Sequence, residues 1–222
     1  MEEGWPRKLH RYADSLDRRI RPTLSRAPIL ERAWIGILDA VVARQPDRAY
    51  LRTAILPAVA AARPARVLFV GARGYTKSYG RAFRAGTEFW TTDIDPDADR
   101  YGAPARHVTT DVRHLDQAFP AGSFPFVLMN GVFGWGVDEP GDMDRALGAV
   151  ERVLAPCGVL LLGWNSDRCA DPDTLPAMAS FEPIPFAGLP ERKTFGDVTH
   201  IYAWYKTRRG PAMVDGLAEG SR

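Results

Sequence analysis

The stretch RVLFVGARGYTKSYG, residues 66 to 80, constrains the fold more than any other part of the chain. Arg66 to Val70 is a short β-branched apolar run of the kind that forms a strand buried on both faces. Gly71 and Gly74 end it, and Thr76 is placed to cap a short helix after them. A strand, a glycine turn and a helix in that order bring backbone N–H groups and the positive end of a helix dipole to one spot, which suits a polar or anionic ligand.

Downstream the same alternation continues. Strands are expected over 88–92, 106–109, 124–129, 158–164 and 198–205. The clearest helix between them runs from Asp142 to Leu154, where Met143, Ala146, Leu147, Val150 and Val153 share a face. Strands alternating with helices predict a doubly wound α/β domain on a mostly parallel sheet, here over residues 63–207. Upstream, three amphipathic helices are expected: Arg7 to Ile20, a second opened by Pro28, and a third from about Asp47 to Ala62, kinked at Pro57. Residues 1–62 therefore form a helical extension, and residues 208–222 read as a disordered tail.

Ligands of open parallel sheets bind outside the carboxyl ends of the strands, so those ends carry the site. They present Gly71 and Gly74, then TTDID with Asp93 and Asp95, then DVRHL with Asp111, then MNGVFGWG with Asn130. Asp93 follows Gly71 by 22 positions, near the ~20 expected of an acid that bonds a ribose hydroxyl. Asp93 and Asp95 also fit helix caps before PDAD, and Asp111 fits a turn cap.

Taken together, and with ERVLAPCGVLLL as helix, turn and strand, these segments resemble the class I S-adenosylmethionine-dependent methyltransferases over residues 64–206. The resemblance implies a seven-stranded Rossmann-like sheet and S-adenosylmethionine as cofactor. It implies a glycine motif of Gly71, Ala72, Arg73, Gly74 and Tyr75, with Asp93 and Ile94 at the ribose. Asp111 and Val112 would meet the adenine, and Asn130 and Gly131 would lie near the methionine moiety. The chain departs from the family pattern at Phe69, where an acid is usual, at Arg73 and Tyr75, where glycines are common, and at Phe124-Pro125, where Phe-Asp is frequent.

Aromatic residues fall where sulfonium and substrate would meet: Tyr75, Tyr79, Phe133, Trp135 and Trp164. Phe133 and Trp135 are candidate acceptor contacts, joined by Tyr12 and Trp34 if the N-terminal helices close the pocket as a lid. The same helices could instead pack behind the sheet or join a homodimer. Among the histidines, His200 is the candidate base, because it opens the last strand beside the expected substrate entrance.

Net charge is only +2, and no basic stripe or Asn/Asp-Pro-Pro-Tyr/Phe motif stands out, so a small-molecule acceptor is expected rather than nucleic acid. The two cysteines have no metal-ligand spacing, and no metal is expected. Their scarcity, and the lack of a signal-peptide core or an ~18-residue apolar run, predict a cytoplasmic protein without a membrane span. Two rival classes remain: a nicotinamide-dependent oxidoreductase and a non-catalytic binding protein on the same fold.

Overall fold

A computed structural model describes residues 27–210. The first expected helix, and Tyr12 with it, lies outside the described residues, as does the chain after Gly210.

The chain enters through α1 (Pro28–Val42), which has proline in its first turn. Next comes α2 (Pro46–Tyr50), which passes through a π-helical turn at Leu51–Ile55 into α3 (Leu56–Ala61). The wide turn comes just before Pro57. That residue has no N–H to give the preceding turn, and its ring would press on the carbonyl four residues back. The expected kink is thus absorbed as a π segment.

The strands are β1 (Arg66–Val70), β2 (Glu88–Asp93), β3 (His107–Thr109), β4 (Phe124–Asn130), β5 (Leu154–Asn165), β6 (Phe181–Pro183), β7 (Arg192–Lys193) and β8 (His200–Thr207). Their order is β3-β2-β1-β4-β5-β8-β6, with β7 added to β8. β1 to β5 run parallel, and β8 runs antiparallel to β5. The mostly parallel, doubly wound sheet is therefore formed, and strand order reverses between β1 and β4.

Both faces of the central strands are buried. On one face Leu51, Ile55, Leu56 and Val59 pack on Val67, Phe69, Leu128, Leu161, Tyr202 and Trp204. On the other, α5 (Pro140–Val153) lays Met143, Ala146, Leu147 and Val150 over Leu68, Met129, Leu160 and Leu162. Pro125 is tolerated because the β4–β5 register shifts between Phe124 and Phe126, so no ladder bond is asked of it.

One expectation fails. No helix follows β1; the link to β2 is two 3₁₀ turns, Gly74–Thr76 and Tyr79–Ala82. The Thr76 hydroxyl accepts from the Arg73 N–H at 2.9 Å and donates to the Arg73 carbonyl at 2.9 Å, closing a tight turn rather than capping a helix. Glycines at 71, 74, 80 and 86 and the lack of a 3.6-residue apolar repeat remove what would hold a helix there. The links β2–β3 and β3–β4 are equally spare: a 3₁₀ segment at Pro96–Tyr101, then another at Val112–His114 leading into α4 (Leu115–Ala118).

Residues 208 and 209, expected in the tail, are tied to the fold. Arg208 N–H donates to the Ser180 carbonyl at 2.9 Å, and the Arg209 carbonyl accepts from Cys157 N–H at 2.9 Å, so the folded chain reaches past 207.

Candidate functional site

A cleft opens at the carboxyl ends of β1, β2 and β4, on the side where strand order reverses. Gly71, Arg73, Asp93, Ile94, Asp111, Val112, Gly131 and Trp135 line it. Eight of the positions singled out from sequence thus meet around one cleft.

Each is placed by local rules. Gly71 has φ of +98°, and a Cβ there would stand 3.2 Å from the Asn130 carbonyl, so only glycine lets β1 turn this close to the end of β4. Asp93 ends β2 almost fully buried, with Oδ1 accepting from Asp95 N–H at 2.9 Å. Asp111 is the cap of its 3₁₀ turn, accepting from Arg113 N–H at 2.9 Å, and it still lines the cleft. The turn-cap reading and the ligand reading of Asp111 are therefore compatible. Ile94 is 62% exposed and Val112 buried; with Asp93 and Asp111 they give the cleft wall apolar surface beside two carboxylates.

Arginines hold both acids. Arg73 Nη1 lies 2.9 Å from Asp93 Oδ2 and 3.9 Å from Asp95. Arg113 chelates Asp111 through Nε and Nη2 and reaches Asp142 at 2.8 Å. The hydrogen bonds from Arg113 hold the Asp111 carboxyl below the ordinary carboxylate range, with partial burial opposing. The departure at Arg73 thus places a guanidinium on the very carboxylate that the resemblance assigns to ribose.

Other expected site residues lie elsewhere. Ala72 is fully buried, and Gly74 and Tyr75 do not line the cleft; Gly74 instead abuts α1, where Ile35 would be 3.6 Å from its Cβ. Tyr75 carries the Arg48 guanidinium 5.5 Å from its ring centre. Phe133 is a correction: it is fully buried in the α5-side core, because the 131–137 loop pairs Phe133 with Val137 and turns the ring inward, and Trp164 shares that core. Trp34 sits half-buried on α1 and does not line the cleft. Trp135 does line it, with Arg168 stacked 3.6 Å over its ring and its indole N–H pointing to Asn165 Oδ1 at 3.4 Å.

Asn130 lies just behind the cleft in a buried polar cluster. Asp47, Arg48, His200 and Tyr202 join it, and all five are at most 5% exposed. Arg48 Nε and Asp47 Oδ2 are 3.5 Å apart. Of these only Asn130 and His200 were anticipated from sequence. Gly163, an isolated glycine in the apolar run LLLGWN, is the signal that would have pointed to the cluster, since such a glycine in a central strand marks a close approach.

No protein-family model and no curated protein matches the sequence. Solved structures do. The N-methyltransferase NodS from Bradyrhizobium japonicum WM9 superposes with a TM-score of 0.57 at 14% identity, over 74% of this chain and 98% of that one. A TehB-like SAM-dependent methyltransferase from Corynebacterium glutamicum gives 0.52 at 18% identity, over 69% and 88%. TrmN from Thermus thermophilus gives 0.52 at 20% identity, over 75% of this chain and 53% of its own. At these identities the likeness is one of fold.

Proposed function

We propose, from a chain that has the fold of the class I S-adenosylmethionine-dependent methyltransferases, that it transfers a methyl group from S-adenosylmethionine to a small-molecule acceptor. The observation that carries this reading is the convergence of Gly71, Asp93, Asp111 and Gly131 on one cleft at the strand ends. The donor set fits the cofactor: a carboxylate for a ribose diol, a second for an exocyclic amino group, apolar Ile94 and Val112 for a base, and a glycine turn for close backbone approach. When bound, S-adenosylmethionine would supply a methyl group already activated by positive sulfur.

The chain's own residues then bind, orient and exclude water. Asp93 would take the ribose hydroxyls once Arg73 moves off Oδ2; Asp111 keeps lone pairs for an amino group while Arg113 fixes its direction. Holding nucleophile and methyl in line contributes on the order of 7–11 kcal/mol without a dedicated catalytic group. The small-molecule acceptor is favoured by the buried character of the polar cluster behind the cleft, which suits a ligand that can be enclosed. None of the described helices is long and apolar enough to cross a membrane. A cytoplasmic setting fits this reading.

Calorimetric titration tests the reading directly. S-adenosylhomocysteine should bind at one site per chain and NADH should give no heat. Binding of NADH instead would move the chain to the oxidoreductases, and binding of neither would leave the non-catalytic class standing.

A further inference from the structure

Behind the cleft a row of residues in register crosses three strands. Asn130 of β4 pairs with Gly163 of β5, Gly163 with Tyr202 of β8, and Asn165 with His200. Cross-strand partners share a face, so Asn130, Tyr202 and His200 stand over Gly163. That glycine gives the row a floor without a side chain. A Cβ there would collide with Asn130 Oδ1 and stand 2.9 Å from Tyr202 Cε1 and 3.0 Å from His200 Nε2. Over the row sits α2, with Asp47 and Arg48. Arg48 Nη2 comes within 3.8 Å of where a Cβ on Gly131 would be, and Gly131 lines the cleft, so the cluster adjoins the cleft.

Four side-chain atoms of this cluster are buried and make no hydrogen bond among the described residues: Asn130 Oδ1 and Nδ2, Asp47 Oδ1 and Tyr202 Oη. Buried polar atoms are nearly always paired, so a group of them at one spot calls for a further partner, a ligand or an ordered water. Two of the four, the Asp47 carboxylate oxygen and Asn130 Oδ1, can only accept. The missing partner must therefore bring N–H or O–H groups.

The hydrogen-bond network also fixes the histidine tautomer. Thr199 Oγ1 donates to Asp167 Oδ1 at 2.7 Å, so it accepts from Asn165 Nδ2 at 3.0 Å, and this orients the Asn165 amide. Asn165 Oδ1 then faces the Trp135 indole N–H at 3.4 Å and His200 Nδ1 at 3.3 Å. An oxygen so placed accepts, so Nδ1 carries the proton and the lone pair is on Nε2, on the Gly163 side. Asp47 Oδ2, 4.0 Å from Nδ1, stands where it would stabilise an imidazolium.

Resting on the methyltransferase reading, we infer that this cluster is the acceptor subsite, that it takes a small acceptor whose reacting nitrogen or oxygen carries a hydrogen, and that His200 Nε2 is the base. The acceptor atom forms its bond to the methyl carbon as the carbon–sulfur bond of the methylsulfonium donor breaks, the bonding pair staying on sulfur. The proton of the acceptor passes to Nε2 and is later lost to water. Among the described residues, the charged and titratable neighbours of His200 include Asp47, which favours the imidazolium, Arg48, which opposes it, and Tyr202, whose hydroxyl burial holds neutral far above its ordinary range.

The full-length protein is tested in two ways. Nitrogen-15 histidine NMR should show the Nδ1–H tautomer for His200; the opposite tautomer overturns the inference. Turnover is then measured with ethanolamine, benzylamine and phenol, and with trimethylamine and dimethyl sulfide, which are nucleophiles lacking N–H and O–H. At least one of the first group, and neither of the second, should be methylated. His200→Gln should lower kcat by about 10²–10⁴-fold and remove the acid limb of its pH profile, with S-adenosylhomocysteine affinity unchanged. Gly163→Ala, which fills the floor, should also abolish turnover and spare that affinity, and it carries the test if the His200 variant does not fold. Turnover within threefold of the parent in either folded variant overturns the inference, as does methylation of the second group alone. Intact S-adenosylhomocysteine binding with no member methylated sinks the subsite alone, whereas loss of that binding in the parent sinks the methyltransferase reading beneath it.

Discussion

At the scale of single residues the site turns on Asp93 and its arginine. The carboxylate is nearly fully buried, whereas the Arg73 side chain is 39% exposed, so their ion pair is screened and contributes only ~0.2–1 kcal/mol. A ligand hydroxyl can therefore displace it at modest cost. Arg73→Gly should accordingly tighten S-adenosylhomocysteine binding about two- to fivefold, read by calorimetry. Asp93→Ala should weaken it about ten- to a hundredfold, the ~1.5–3 kcal/mol of a charge-assisted hydrogen bond. Equal affinity in the Asp93 variant would remove this acid from the site. Gly71, Asp93 and Asp111 were legible because strand-end glycines and acids recur at a fixed distance along the chain. The bond from Arg73 to Asp93 was not, since side-chain pairing across 20 positions depends on how two loops lie beside each other.

Among elements, α1 and the β1–β2 link depart most from simple expectation. α1 stands against the glycine turn through Ile35 and is tied to the π segment by the Asp39–Arg52 pair at 2.6 Å. Ile29, Leu30 and Ile37 on the same helix are exposed. We propose that α1 acts as a wall or lid for the acceptor. A chain beginning at Gln45 should remain monodisperse and bind S-adenosylhomocysteine, because Gly71, Asp93 and Asp111 all lie later, but it should lose turnover. Full activity in that folded, truncated protein would sink the lid. The positions of β1 to β5 and β8 were legible to within a few residues, since apolar β-branched runs bounded by glycine, proline and aspartate have few other uses, whereas the short β6 and β7 were not anticipated. Short links were less so: a four-residue helix and 3₁₀ turns have no periodicity to detect.

For the whole molecule, the parallel centre buries β4 on both faces, with Leu128 toward α2 and α3 and Met129 toward α5, neither with any exposure. Leu128→Ala and Met129→Ala should each cost about 2–5 kcal/mol in urea unfolding, because adjacent residues of one strand both leave cavities. A strand with one solvated face would show the loss at only one of them. The sequence by itself determined this layered core, since an unbroken apolar run such as VLLL can be satisfied only between two covers. It likewise determined the cleft, because successive parallel strands deliver their carboxyl ends to one edge. Only the tertiary structure decided what stands behind that cleft. Asp47, Asn130, Gly163 and His200 are separated by tens of residues, and they meet because strand register and the packing of α2 bring them to one point. Local pattern fixes which face a side chain takes, but the partner it finds there depends on the alignment of distant segments.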